Sequence, residues 1–262
     1  VPFTLSHAAA VLPFARSRRL VPSALVAGSF APDVPYFLAV SPLHIPGSHT
    51  WWGVPLIDVP LGLALWWAWH ALMADPMVAL LPRRVRARTA RVAPRRLSWA
   101  VPLSVLIGAI THVVWDGFTH KHGWAVDLLP VLRLELWTDT PLFYALQVGC
   151  SVIGAAILSV WAARWLRRTE PLPVPPARTW PARVGVLGVT AAISAVAALA
   201  GMARVAGIPV LGVAHHVAAG AADRVEIETA LIRGAVGATS GFVLALIAYG
   251  VIRRYASHHR TA

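Results

Sequence analysis

Ionisable side chains recur where the sequence is otherwise apolar, and they are of the types that hold metal ions or carry protons. His112, Asp116 and His120 follow one another at intervals of four within Thr111–His120. On a continuous helix such residues share one face, about one turn apart. A histidine and a carboxylate so placed can bind one divalent ion, as paired histidines do in helical zinc sites. Gly117 leaves the position of His120 open, because the helix can end there. Asp33 in Gly28–Asp33, His49 just before an apolar run and Asp58 inside that run are further residues of the same kind. An ionisable group inside a spanning segment costs about 2.5–3.5 kcal/mol on insertion scales. Their recurrence leaves three readings open: a metal site, a structural cluster in which Asp and His pair or cap broken helices, or a proton path.

Membrane elements must position these residues. The chain is 57% hydrophobic and 13% charged, too few charges to cover a water-exposed surface; a soluble domain carries about 25%. Apolar runs at Leu20–Val40, Gly53–Met73, Trp99–Phe118, Pro141–Trp165, Val184–Val205 and Ala230–Ile252 have the length of roughly 18 residues or more that crosses a bilayer as a helix. The predicted fold is therefore an all-α polytopic transmembrane helical bundle of about six spans. The first run holds Asp33 and three prolines, Pro22, Pro32 and Pro35, so a broken or partly inserted helix is expected there. Arg16, Arg18 and Arg19 precede it as in a secretory signal, but they sit late, and Pro32 follows Ala31 where cleavage would fall. The segment reads as an uncleaved membrane element.

Basic residues outnumber acidic ones 23 to 11, an excess that in a soluble chain would suggest nucleic acid. Here the arginines gather at Arg16–Arg19, Arg83–Arg96, Arg164–Arg183 and Arg253–Arg260, between the apolar runs. That pattern reads as topology and contact with the lipid bilayer, and no nucleic-acid partner is expected. The loops Ser41–Trp52, Thr119–Thr140 and Gly207–Thr229 are poor in arginine and hold Asp127, Glu135, Asp139, Asp223, Glu226 and Glu228. The positive-inside rule puts the basic loops and the C-terminus in the cytoplasm, as for a multi-pass protein of the bacterial inner membrane. Asp33, His49, Asp58, His112 and Asp116 then all fall toward the outer ends of their spans. Four separate stretches thus place acid or imidazole at similar depth, as a buried metal site requires.

Pro171–Pro181 contains five prolines and reads as a stiff linker. It divides the chain into a His/Asp-rich membrane domain (1–170), a Pro/Arg-rich cytoplasmic linker (171–183) and two Ala/Gly/Val-rich spans with a basic tail (184–262). Cys150 is the sole cysteine, so no internal disulfide forms. His70 among Trp66, Trp67 and Trp69 suits an interfacial aromatic belt. His44 and His122 read as loop residues, His215 and His216 belong to an outer loop, and His258 and His259 to the basic tail. Phosphate-cradling glycine loops, nucleophile elbows and paired-cysteine zinc motifs are all lacking.

Four stretches carry a family resemblance: Pro2–His7, Gly28–Asp33, Ser48–Pro60 and Thr111–His120. Through them the N-terminal half resembles a bacterial family of uncharacterised membrane proteins known only as a domain of unknown function. Their order is also similar to that in membrane-bound metal-dependent hydrolases related to zinc-dependent phospholipase C. There an N-terminal His, a Pro-Asp, a His-containing turn and a His-x-x-x-Asp helix follow in turn. The resemblance implies a divalent metal, zinc, held by His7, Asp33, His49, His112 and Asp116. The leading expectation is hydrolysis of a phosphoester or lipid-like substrate by water on that metal, with Asp58 or His120, from the residues themselves, as general base or water-orienting group. The chain departs from that pattern in having Val34 and Pro35 where a second acid would follow the Pro-Asp, and in lacking a His-Arg-Gly before the turn.

The inferred topology puts His7 on the cytoplasmic side, unless Phe3–Ala15 forms a short helix descending from the outer face. As a helix that stretch spans about 20 Å, against a hydrocarbon core of about 30 Å. Two other classes stay open. One is a transporter or channel subunit using Asp33, Asp58, His112 and Asp116 as a proton or cation relay; the other is a non-catalytic scaffold whose polar cluster fixes helix packing.

Overall fold

Proline placement governs how the first apolar run folds. The computed structural model describes residues 4–38, 47–89, 97–137, 140–174, 180–206 and 224–258. A 3-10 turn at Thr4–His7 leads into α1 (Ala8–Val11) and a second 3-10 turn at Phe14–Arg16. After the exposed Arg18 and Arg19 the chain enters α2 (Pro22–Phe30). Pro22 opens α2 in its first turn, where a missing N–H loses no helical partner. Beyond it the chain tightens to a 3-10 turn at Ala31–Asp33 and resumes as α3 (Val34–Leu38). The run expected at Leu20–Val40 is thus broken rather than one spanning helix, because Pro32 and Pro35 withdraw two backbone donors from its outer half.

Five helices among the described residues are long and apolar enough to cross a membrane: Val54–Leu80, Ala100–Thr119, Leu142–Arg168, Pro181–Val205 and Thr229–Tyr255. They make the chain an all-α, multi-pass membrane bundle. The first joins a π-turn at Val54–Asp58 to α4 (Val59–Ala68), a second π-turn at Trp69–Met73 and α5 (Ala74–Leu80). Then follow α6 (Arg83–Thr89), α7 (Ala100–Thr119), the short α8 (Trp124–Leu128), α9 (Leu142–Arg168), α10 (Trp180–Ala206) and α11 (Arg224–His258). Strand β1 (Glu135–Trp137) pairs antiparallel with β2 (Thr140–Pro141) between α8 and α9. His44, Asp139, His215, His216, Asp223 and His259 lie outside the described residues.

The chain forms two units, and each has its own packing. The first comprises described residues 4–35, 47–67 and 97–170. In it α2 lies directly along α7. A Cβ on Gly28 would collide with the Val105 carbonyl, and one on Gly108 with the Leu25 carbonyl, so these glycines set the close approach. Small residues serve membrane helix pairs in this way, because packing rather than water exclusion holds them together. The Val21 N–H donates to Ser104 Oγ at 2.9 Å, fixing the register of α2 on α7. Val21, Ala24, Ala27, Trp66, Val101 and Val105 form the buried core around this contact. Gly154 on α9 admits Ser6, seating the Thr4–His7 turn against that helix.

In the second unit α10 and α11 pack antiparallel. Gly201 meets the Arg233 backbone, Gly237 the Ala197 backbone and Gly241 the Ile193 carbonyl. Arg183 donates two hydrogen bonds to the Leu80 carbonyl, at 3.1 and 2.6 Å, satisfying an acceptor left over at the end of α5.

Candidate metal centre

Four separate segments of the first unit bring acid and imidazole to one place. His112 and Asp116, one turn apart on α7, form its floor, with His112 fully buried at 0% exposure. The His112 Nδ1 lies 2.7 Å from the Ser29 carbonyl, one of the acceptors that the last turn of α2 leaves without a helical partner. A carbonyl can only accept, so Nδ1 carries the proton and Nε2 presents its lone pair to the cluster. Asp33 comes from the 3-10 turn that Pro32 creates; its Oδ2 accepts from Thr4 Oγ1 at 2.6 Å, leaving Oδ1 to face inward. His49 comes from a turn opened by Gly47, whose φ of +94° suits a residue without Cβ. Thr50 braces that turn by donating to the Gly47 carbonyl, and Ser48 Oγ lies 3.1 Å from His49 Nδ1.

The inner atoms of these four residues lie within 4.8 Å of one another. Their separations decide what they suit. His49 Nε2 is 3.4 Å from Asp33 Oδ1, 3.3 Å from Asp116 Oδ2 and 3.3 Å from His112 Nε2. His112 Nε2 is 3.6 Å from Asp33 Oδ1 and 3.1 Å from Asp116 Oδ2. Most of these gaps exceed a good hydrogen bond of about 2.9 Å. A tetrahedron of N and O ligands about 2.05 Å from a divalent ion has edges of about 3.3 Å, and the five separations that involve His49 or His112 are close to that length. The donor set and its spacing therefore fit a metal ion, and the outward atoms of Asp33, His49 and His112 each have a hydrogen-bonding neighbour that holds the ligand in orientation.

Two more histidines flank the other oxygen of Asp116. His7 Nε2 and His120 Nδ1 each lie 3.4 Å from Asp116 Oδ1. The His7 ring stacks on His112 at 3.9 Å, and its Nδ1 is buried without a hydrogen-bond partner among the described residues. His7 reaches the cluster because Thr4–Arg16 descends beside α9 and α7 and α2 returns along α7, so the stretch forms a short hairpin and no span. His120 caps the end of α7; its Nδ1 is also 3.2 Å from Thr119 Oγ1, and its Nε2 is 2.9 Å from the Gln147 amide. Burial holds the His7 imidazole down at about 4. For His49 burial also acts downward, but the Asp116 and Asp33 carboxylates more than offset it and push the group up to about 9.

Asp58 ends the π-turn at Val54–Asp58 and is 0% exposed, with neither carboxylate oxygen hydrogen-bonded among the described residues. It lies within electrostatic range of His49, His112 and Asp33. Single-turn π-bulges in helices occur frequently at functional sites. His122 is exposed in the loop after α7.

The family model for a domain of unknown function, DUF4184, matches residues 1–251. The chain belongs to this family. The DUF4184 match covers both units and extends well beyond the N-terminal half whose motifs carry the resemblance. No curated protein and no solved structure matches the chain. Within this DUF4184 chain, sequence reasoning passed over Thr4, the Ser29 carbonyl, Ser48 and Gln147. Thr4 and Ser48 sit inside the recognisable stretches, three residues and one residue from a histidine. Gln147, an amide in an apolar helix, offers the signal that any costly polar group in a span offers.

Proposed function

We propose that this DUF4184 chain is a membrane-embedded metalloenzyme, a zinc-dependent hydrolase of a phosphoester or lipid-like substrate in the bacterial inner membrane. The observation that carries the reading is the convergence of Asp33 Oδ1, His49 Nε2, His112 Nε2 and Asp116 Oδ2, drawn from three segments, within 4.8 Å of one another. The ligand order along the chain, with His7 included, is also that of the membrane-bound hydrolases the sequence resembles. Zinc bound there would supply Lewis acidity toward a phosphoryl oxygen or an attacking water. His7 and His120 hold the second oxygen of Asp116 from the far side. Both ring nitrogens of His120 are engaged, so it orients, whereas Asp58 has uncommitted lone pairs and is the better proton acceptor. His49, about 30% exposed at its side chain, marks the face open to substrate.

Elemental mass spectrometry of the detergent-purified protein, beside a His112→Ala/Asp116→Ala variant, tests the metal. Near-stoichiometric zinc that disappears in the variant, followed by metal-dependent turnover of phosphoester or lipid substrates, supports the reading. Wild type that stays metal-free after zinc is added back rules it out. One observation favours a second reading. The unpartnered Asp58 within a spanning helix suits a proton or cation relay, which would show as Asp58-dependent ion flux in liposomes without any need for zinc.

A further inference from the structure

The segment between α7 and α9 carries large apolar side chains on both of its faces. Its inner side is ordinary core: Ala125, Val126 and Leu132 are buried against Leu142, Phe143 and Leu146 of α9. Its outer side is the reverse of what a water-facing loop shows. Leu128 is 71% exposed, Leu134 60% and Trp137 68%, and Leu129, Val131 and Leu136 are exposed as well. A connecting segment in water normally turns polar groups outward, and a patch of this size normally marks a surface that something covers.

Three further observations say what covers it. First, the segment lies beside the helix ends rather than above them. The Trp124 ring fills the space next to Gly117 and meets Phe118 edge-on at 5.4 Å, both in the last turn of α7, and Leu132 packs on the first turns of α9. Its outer face is thus level with the ends of two helices that are themselves apolar enough to span a membrane. It continues the apolar surface that α9 presents at Tyr144, Val148 and Val152. Second, two of its three charges pair with each other: Arg133 pairs with Asp127 and also donates to the Val126 carbonyl at 3.2 Å, which leaves Glu135 as the one exposed charge outside that pair. Third, tryptophans stand at both limits, Trp124 and Trp137, as amphipathic rings do at the edge of the hydrocarbon.

We infer that Trp124–Trp137 is an interfacial element whose outer apolar face lies in the acyl-chain region of the leaflet at the Thr119 and Leu142 ends of the spanning helices. The loop that composition alone places in water is then a membrane-lining shelf next to the candidate metal centre, to which Trp51 and Trp124, in ring contact at 6.0 Å, connect it. This inference stands on the membrane character of α7 and α9 and not on any metal or reaction.

Spin labels on Leu128→Cys and Leu134→Cys, in a Cys150→Ser background and reconstituted in liposomes, test it by power saturation. Lys121→Cys serves as the water reference and Val152→Cys as the hydrocarbon reference, since both parent side chains are exposed. Collision with oxygen at the level seen for Val152→Cys, with little collision with water-soluble chromium oxalate, is the expected result. Chromium oxalate access like that of Lys121→Cys would overturn it and return the segment to water. Low access to both reagents would also overturn it, showing that another protein or a second copy covers the face. Labelling at an exposed position leaves the core intact, and matching helical circular dichroism among the four variants checks that each has folded.

Discussion

Asp116 holds the candidate centre together because its two oxygens face different partners, His49 and His112 on one side and His7 and His120 on the other. Removing it takes away one of the four candidate ligands and the carboxylate that all four imidazoles surround, so Asp116→Ala should abolish metal retention in elemental analysis. The supporting hydroxyls act less directly. Thr4→Val and Ser48→Ala free one outward atom each, and metal affinity should fall about 10- to 100-fold while the fold persists, as competition with a chelating dye would show. Asp58→Asn separates binding from chemistry: metal content should stay near wild type while turnover drops by about 10²- to 10⁴-fold. Proton competition sets the pH dependence. A protonated imidazole cannot ligate, and the carboxylates beside His49 raise it to about 9. Metal affinity should therefore rise with pH up to that value, with a proton released as metal binds; calorimetry in buffers of different ionisation enthalpy measures both.

At the level of elements, the site depends on how α2 packs against α7, the helix that carries His112 and Asp116. α2 presents the Ser29 carbonyl to His112 only because Gly28 and Gly108 let the two backbones touch. Gly108→Leu would force them apart. The cost should be about 1–3 kcal/mol of overpacking, read as a lowered Tm in detergent, with metal loss exceeding what the stability change alone would give. The break at Pro32 is equally necessary. A continuous helix through Ala31–Asp33 would turn Asp33 away from the 3-10 position in which Thr4 braces it.

For the whole molecule, the division of labour is between a first unit with every candidate ligand and a second unit packed through glycine-lined contacts of α10 and α11. Thr50 precedes the N-terminal end of Val54–Leu80 and Arg84 follows its C-terminal end, so the two flank one spanning helix at opposite ends. An impermeant thiol reagent on sealed, oriented vesicles should therefore reach Thr50→Cys from the side opposite to the one that exposes Arg84→Cys. Labelling of both from one side would overturn the topology.

The sequence by itself determined the class of molecule. Long apolar runs with few charges have no stable home but a bilayer, and five of the six expected spans appear, four close to their expected limits and the one expected to end at Met73 extended to Leu80. Topology also led to the expectation that Asp33, His49, His112 and Asp116 share one depth. Only the tertiary structure decided that these residues meet, because depth says nothing of the angle around the bundle axis at which each side chain points. It likewise decided the path of His7. Topology counts whole crossings, and a short hairpin seated by Gly154 and returned along α7 by α2 is not one. The bracing by Thr4 and the Ser29 carbonyl was hidden for a related reason. Hydrogen bonds across 29 and 83 residues follow from packed backbones and leave no local pattern in the chain.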